Sequence, residues 1–275
     1  MLNIHQPPHE VLGIRSDLCV RLTRSTREVA IAQALRFRVF YEELNAVADK
    51  ISAELSLDAD RFDAFCDHLI VVKQTSNIAD KRFRVDDGEM VGTYRLLRQS
   101  VAAENGGFYS QGEYDLAPLL TSQPELNFLE LGRSCVLKPY RTKPVVELLW
   151  QGIWNYVRGH RLDVMMGCAS LEGADPAAHK DTLNFLAQNC AAPAEWHVRA
   201  LPERYVEMKS ENAIIDPKAA LKALPPLIKG YLRLGCYIGE GAVVDTQFNT
   251  TDILIILPVS NINPRYFAHF GNPND

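Results

Sequence analysis

No apolar run in this 275-residue chain is long enough to cross a bilayer: the longest, Ile253–Leu257, is five residues, against the roughly 20 a spanning helix needs. The N-terminal stretch MLNIHQPPHE lacks a basic region followed by an apolar core, which excludes a secretory signal of the usual form. The six cysteines (Cys19, Cys66, Cys135, Cys168, Cys190, Cys236) form no C-x-x-C pair and no Cys/His ligand spacing. That excludes a zinc ribbon or a disulfide framework and predicts reduced thiols, mostly in the core, of a soluble cytoplasmic protein. No metal is expected. Positive charge is in deficit, with a net −5, which argues against nucleic acid as a partner while leaving room for a local basic patch. There is no Walker A sequence, and the glycines of Gly235–Gly241 open no helix, so a nucleotide loop is unsupported. Gly132-Arg-Ser134-Cys-Val136 misses the nucleophile elbow G-x-S-x-G by its last residue and lies within a strand. No histidine has an aspartate at the H-x₄-D spacing of glycerolipid acyltransferases.

An apolar fraction of 47% suffices for a full core. After a tail expected over residues 1–17, Leu18–Thr23 reads as a strand. Ser25 or Thr26 caps a helix to about Leu44, with Phe37, Phe40, Tyr41 and Leu44 along one face. Arg36 adjoins that face, and a solvated helix charge is as good a reading for it as a buried one. Asn45–Asp67 is irregular and acidic (Asp49, Glu54, Asp58, Asp60, Asp63, Asp67), interleaved with Leu55, Leu57, Phe62 and Phe65. It is either a solvated loop or a flap over something. His68–Lys73 and Glu89–Leu97 are predicted strands, the second placing Val91, Thr93, Arg95 and Leu97 on one face. Further on come an amphipathic helix through Val145, Leu149, Ile153 and Tyr156, a strand at Asp163–Ser170, and a helix opened by Asp175-Pro176. Short helices follow at Asp216-Pro217 and at Pro225–Leu234 before Gly235, then an all-apolar strand at Ile253–Val259 and a terminal helical turn from Asn263-Pro264. Strands alternate with helices, so the expected fold is α/β, a mixed central sheet flanked by helices.

One stretch organises the rest: Phe128-Leu-Glu-Leu-Gly-Arg-Ser-Cys-Val-Leu-Lys-Pro-Tyr-Arg-Thr-Lys-Pro144. It begins as an apolar strand carrying two opposite charges, Glu130 and Arg133. Burying a charge costs several kcal/mol unless it is paired or used. Residues three apart point to opposite faces of a regular strand, so a bulge at Gly132 is expected if both are to share a face. A structural ion pair is the plain reading; a catalytic pair is the other.

Read together, Arg36-Phe-Arg-Val-Phe40, Asp60-Arg-Phe-Asp63, Val91-Gly-Thr-Tyr-Arg95 and Glu130-Leu-Gly-Arg133 resemble, in that order, the acyl-homoserine-lactone synthases among the GNAT-like acyltransferases. The resemblance implies that Arg36, Phe40, Asp60, Asp63 and Arg95 surround the substrates and that Glu130 and Arg133 sit at the acyl-transfer site. Leu224–Gly235, Gly241–Asp245, Thr251–Pro258 and Asn261–Tyr266 are similar to the bacterial ornithine–acyl-carrier-protein N-acyltransferases, extending the likeness almost end to end. This implies a GNAT-like core over 18–210 with a C-terminal helical and strand extension over 211–275. The implied reaction moves a 3-hydroxylated fatty acyl group from acyl carrier protein to the α-amine of L-ornithine. The acyl group arrives on the carrier's phosphopantetheine, so no cofactor of the enzyme's own is expected.

The GNAT diphosphate loop [RQ]-x-x-G-x-[GA] is not kept: Tyr140-Arg-Thr-Lys-Pro-Val has no glycine. Lys138, Arg141 and Lys143 stand there instead, as either a soluble basic turn or a dock for the carrier protein and its phosphate. Glu130 is the candidate base, or an orienter of the amine; Arg133 either holds Glu130 or binds the substrate carboxylate. Backbone N–H groups freed by a bulge are candidate oxyanion donors, and Asp60 or Asp63 a grip for the side-chain ammonium. Two alternatives stand beside this. One is a homoserine-lactone synthase using S-adenosylmethionine, although Asn45–Leu57 lacks the tryptophan usual there. The other is a non-catalytic module lying on the inner membrane through Lys222, Lys229 and Arg233.

Overall fold

The computed structural model describes residues 11–210 and 216–263. The expected turn from Asn263-Pro264, and the similarity beyond residue 263, lie outside the described residues.

In chain order the chain forms β1 (Val11–Arg15), β2 (Leu18–Leu22), α1 (Thr26–Phe37), α2 (Lys50–Leu55), β3 (Asp67–Lys73), β4 (Arg84–Val85) and β5 (Gly88–Arg98). Then come α3 (Gln99–Glu104), β6 (Tyr114–Asp115), α4 (Ala117–Ser122), β7 (Phe128–Val136), α5 (Lys143–Gly159) and β8 (Val164–Glu172). The last are α6 (Lys180–Asn189), β9 (Arg199–Ala200), β10 (Tyr205–Val206), α7 (Pro217–Ala223), α8 (Pro226–Leu234), β11 (Tyr237–Ile238), β12 (Ala242–Asp245) and β13 (Thr250–Pro258). Two compact units result, one from residues 11–97 and 132–160, the other from 98–131 and 161–263.

In the first unit β1, β2, β3 and β5 pair antiparallel in that order. The Leu137 N–H donates to the Val91 carbonyl at 2.9 Å, tying the end of β7 to β5. Strand β1 occupies part of the stretch expected as a tail. Its Gly13 lies where a Cβ would come within 2.9 Å of the Gln151 side chain on α5. Ser25 caps α1 as expected, accepting the Glu28 N–H. The α-helix then stops at Phe37 and passes into a π-helical turn, Arg38–Glu43. The buried face runs through Ile31, Ala32, Leu35 and Arg36 of α1 to Val39, and the change of pitch turns the residues after it. Leu44 is left exposed, against the expectation of one apolar stripe through Phe37 and Leu44.

In the second unit the pairing of β7 with β8 is parallel (Phe128↔Val164, Leu129↔Met165, Glu130↔Met166), and β8 then pairs antiparallel with β13 along nine residues. Gly167 permits the close approach: its φ is +157°, and a Cβ there would lie 2.2 Å from the Leu131 carbonyl oxygen. Strand β13 is buried on both faces, as its all-apolar run predicts. Asp216 caps α7, and Gly235 ends α8 at φ +89°. On α8 the apolar Ile228 and Tyr231 are buried, so Lys229 and Arg233 form the polar face of an ordinary amphipathic helix. No described helix is long and apolar enough to cross a membrane.

Candidate active site

The acidic segment before β3 is built around a single 3₁₀ turn, Arg61–Ala64. Asp60 accepts the Phe62 N–H at 2.8 Å, and Asp63 reaches back to the Asp60 N–H at 3.1 Å. The spacing of the two acids is thus a capping box. It also aims both carboxylates at three arginines. Arg36, 1% exposed on α1, grips Asp63 with two parallel hydrogen bonds (Nη1–Oδ1 2.8 Å, Nη2–Oδ2 2.7 Å). Its Nη2 also donates to the Asp58 carbonyl, and its Nε lies 2.7 Å from Asp58 Oδ2 without the alignment of a hydrogen bond. Arg95 of β5 donates to Asp60 Oδ1 at 2.7 Å and to Asp63 Oδ1 at 3.3 Å. Arg133 of β7 donates to Asp58 Oδ2 and Asp60 Oδ2, each at 3.2 Å.

Three guanidinium groups therefore face three carboxylates. Burial alone would raise the Asp63 pKa, but the Arg36 hydrogen bonds and the charges of Arg36 and Arg95 hold it well below the usual carboxylate range. Burial and the Arg36 charge push His68 down, so it is neutral at pH 7; its Nε2 lies 3.1 Å from the Asp63 carbonyl. Gln33 and the Tyr41 hydroxyl complete the shell, on Asp63 at 3.1 Å and on Asp58 at 3.2 Å. The solvated reading of Arg36 is thereby overturned: its guanidinium is buried between the equally buried Asp58 and Asp63, whose charges need a cation there.

Strand β7 is interrupted near the place expected, one residue late. Arg133 itself, not Gly132, takes a left-handed backbone with φ +51°. A non-glycine residue pays about 1–3 kcal/mol for that conformation, and here it carries the guanidinium to Asp58 and Asp60. Glu130 is 5% exposed. Its Oε2 accepts the Tyr109 N–H at 2.8 Å, and its Oε1 accepts the Ser110 N–H at 2.7 Å and the Ser110 hydroxyl. The 3₁₀ turn Tyr109–Gly112 is thus a cradle for this carboxylate.

After β7, Lys138, Arg141 and Lys143 are all exposed. Arg141 donates to the Val136 carbonyl at 2.9 Å and to Glu43 at 2.6 Å; Lys143 lies 3.5 Å from Glu147. Thr142 caps α5 by position without a side-chain hydrogen bond. Phe40 is half-buried against the core of the first unit.

Of the residues singled out from sequence, the fold joins Arg36, Asp60, Asp63, Arg95 and Arg133 in one network. Asp58 is the member not singled out there, although it stands in the same acidic run. Ser110 and Tyr109 carry no local signal, since their role exists only once Glu130, 20 residues on, has been placed beside them.

The acetyltransferase (GNAT) domain family matches residues 35–151. An L-ornithine N(alpha)-acyltransferase of Brucella abortus is 50% identical over 95% of this chain and 91% of its own length. One of Agrobacterium fabrum is 50% identical over 95% of this chain and 87% of its own. Among solved structures, an N-acyl amino acid synthase from uncultured soil microbes aligns at a TM-score of 0.47 and 12% identity, covering 88% of this chain and 91% of that one.

Proposed function

The chain belongs to the L-ornithine N(alpha)-acyltransferases, and on that premise we propose how it performs the reaction. It acylates the α-amine of L-ornithine with a fatty acyl group, the first step toward ornithine lipid. The observation that carries this is the identity with curated relatives, sustained along 95% of the chain. The homoserine-lactone alternative has no such support.

An α-amine has a pKa near 8 and must be neutral to attack a thioester. Glu130 is the group we assign to the amine's proton, taken directly or through a water. The three donors from Tyr109 and Ser110 fix that carboxylate's position before substrate arrives. Attack makes a tetrahedral oxyanion at the thioester carbon. Backbone N–H groups at the Arg133 interruption are the candidate donors for it. Collapse expels the phosphopantetheine thiolate, and no covalent acyl-enzyme forms.

Of the two acids offered for the ornithine ammonium, Asp60 is the better placed. Its side chain is 25% exposed, whereas Asp63 at 5% is saturated by Arg36, Gln33 and the Asp60 N–H. Arg95 and Arg133 hold Asp60 and are the cations nearest to hand for the substrate carboxylate. The acyl donor in this reading is acyl carrier protein, an acidic partner met by Lys138, Arg141 and Lys143.

The test is product extraction from purified protein given 3-hydroxyacyl–acyl carrier protein, ornithine and S-adenosylmethionine together. N-acylornithine alone is expected. An acylated lactone, or no product from the carrier-bound donor while acyl-CoA serves, would overturn the acceptor or the donor assignment respectively.

A further inference from the structure

In the second unit the sheet gathers a second set of acids. Strand β12 pairs with β13 in the register Val243↔Asp252 and Asp245↔Thr250. Asp245 and Asp252 are therefore diagonal neighbours on one face, since side chains alternate along each strand. Cys168 shares that face from β8, where Ser170 is the partner of Asp252. Glu113 comes down onto it from the residue before β6, and the Tyr114 hydroxyl beside it donates to the carbonyls of Gly241 and Asp252 at 3.0 and 3.2 Å.

One carboxylate oxygen each from Glu113, Asp245 and Asp252 lies within 4.8 Å of the others. Glu113 is 3% exposed and Asp252 6%; the Cys168 thiol stands by the first carboxyl and the Ser170 and Thr250 hydroxyls by the second, yet Glu113 Oε2 and Asp252 Oδ1 are themselves buried with no partner in hydrogen-bond geometry. Bare carboxylate oxygens in the interior are costly and are normally paired or bound to metal. The cation recorded beside them, Arg204, approaches only Glu113 Oε1, at 3.6 Å, and its nitrogens donate to the carbonyls of Gly112 and Val244.

We propose that Glu113, Asp245 and Asp252 form a binding site for a hard divalent cation, Mg²⁺ or Ca²⁺. The donor set is all oxygen, as these ions require. Ligands at the ~2.1 Å of Mg²⁺ or the ~2.3–2.6 Å of Ca²⁺ stand at most about 4–5 Å apart, the separation found. The site joins the β12–β13 hairpin to the turn Tyr109–Gly112, whose N–H groups and Ser110 hydroxyl hold Glu130. A bound cation is thus a clip on the cradle of that carboxylate, not a participant in acyl transfer.

The experiment uses the full chain, treated with chelator and dialysed, then titrated with Mg²⁺ or Ca²⁺ while thermal melting and calorimetry are followed. A saturable rise in Tm, reversed by EDTA, is expected with at least one ion, and the ion with the lower Kd is the one the site takes. Asp252→Asn and Glu113→Gln should abolish the rise. Asp245→Asn, at a half-buried position that tolerates the amide, should weaken binding roughly tenfold or more. A wild-type Tm indifferent to both ions overturns the site, as does an equal rise in the Asp245→Asn variant. So does a protein whose Tm climbs on lowering the pH from 7 to 5 yet ignores both ions, because a shared proton then fills the place of the metal.

Discussion

Arg36 and Asp63 meet by two parallel hydrogen bonds of 2.8 and 2.7 Å, and both side chains are almost wholly buried. The arginine leaves α1 one residue before that helix ends; the aspartate is the third residue of a 3₁₀ turn. Planar guanidinium against planar carboxylate is the strongest geometry such a pair can take. Removing one partner leaves the other charged and buried.

Asp63→Asn should therefore destabilise the fold by about 3–5 kcal/mol, the usual cost of breaking a buried pair. Asp60→Asn, at a partly exposed carboxylate, should cost distinctly less. Urea denaturation of the two variants measures the difference, and equal losses would contradict the network described.

The same pair sets a pH dependence. The folded-state pKa of Asp63 lies below its unfolded value, so its stabilisation is complete above the ordinary carboxylate range near pH 4. It is lost as the pH falls through the folded value. Midpoints of urea denaturation between pH 6 and 3 should fall less steeply for Asp63→Asn than for the wild type.

Glu130→Gln should still fold, since its single amide oxygen can accept from Ser110 and only the Tyr109 N–H loses its acceptor, but it should lose most acyl transfer. Ser110→Ala should keep the carboxylate and lower kcat by a smaller factor. Wild-type turnover of Glu130→Gln at saturating substrates across pH would remove Glu130 from the chemistry.

Reversing the charges of Lys138, Arg141 and Lys143 should raise the apparent KM for acyl carrier protein and leave a short acyl-pantetheine mimic less affected. The wild-type KM should also climb with salt, because exposed charges are screened over roughly 8–10 Å. A KM indifferent to both treatments would end the docking assignment.

Ornithine should outcompete norvaline, which has the same carbon skeleton without the terminal amine. Loss of one charge-assisted hydrogen bond is worth about 1.5–3 kcal/mol, or roughly tenfold to a hundredfold in kcat/KM. Both acceptors in one tube give the ratio directly; equal acylation would mean that the side-chain ammonium is not read.

The longer elements were legible because their signals are local. Ser25 before α1, Asp216-Pro217 at α7 and Gly235 after α8 act within a turn of where they stand. The apolar run of β13 likewise announces burial on both faces. What the sequence concealed depends on distant partners. The two-residue strands β6, β9 and β11 exist only by pairing with segments remote in the chain. The burial of Arg36 follows from Asp58 and Asp63, 22 and 27 residues away. Periodicity placed Leu44 inward, and the π-helical turn at Arg38–Glu43 rotated it out. At the site, the charges on β7 were visible as residues out of place, whereas the hydroxyl and the two N–H groups that hold Glu130 look like any other loop.

The three-against-three arrangement of Arg36, Arg95 and Arg133 with Asp58, Asp60 and Asp63 also constrains how descendants of this gene can drift. Each member touches two opposite charges, so any single replacement leaves two neighbours with one partner each and the set with one unbalanced charge, and a second change elsewhere in the set is needed to restore neutrality. The fitness of each substitution then hinges on the state of the other five. Lineages should inherit these six codons as a block, and a chain that has lost one should show a compensating change at another.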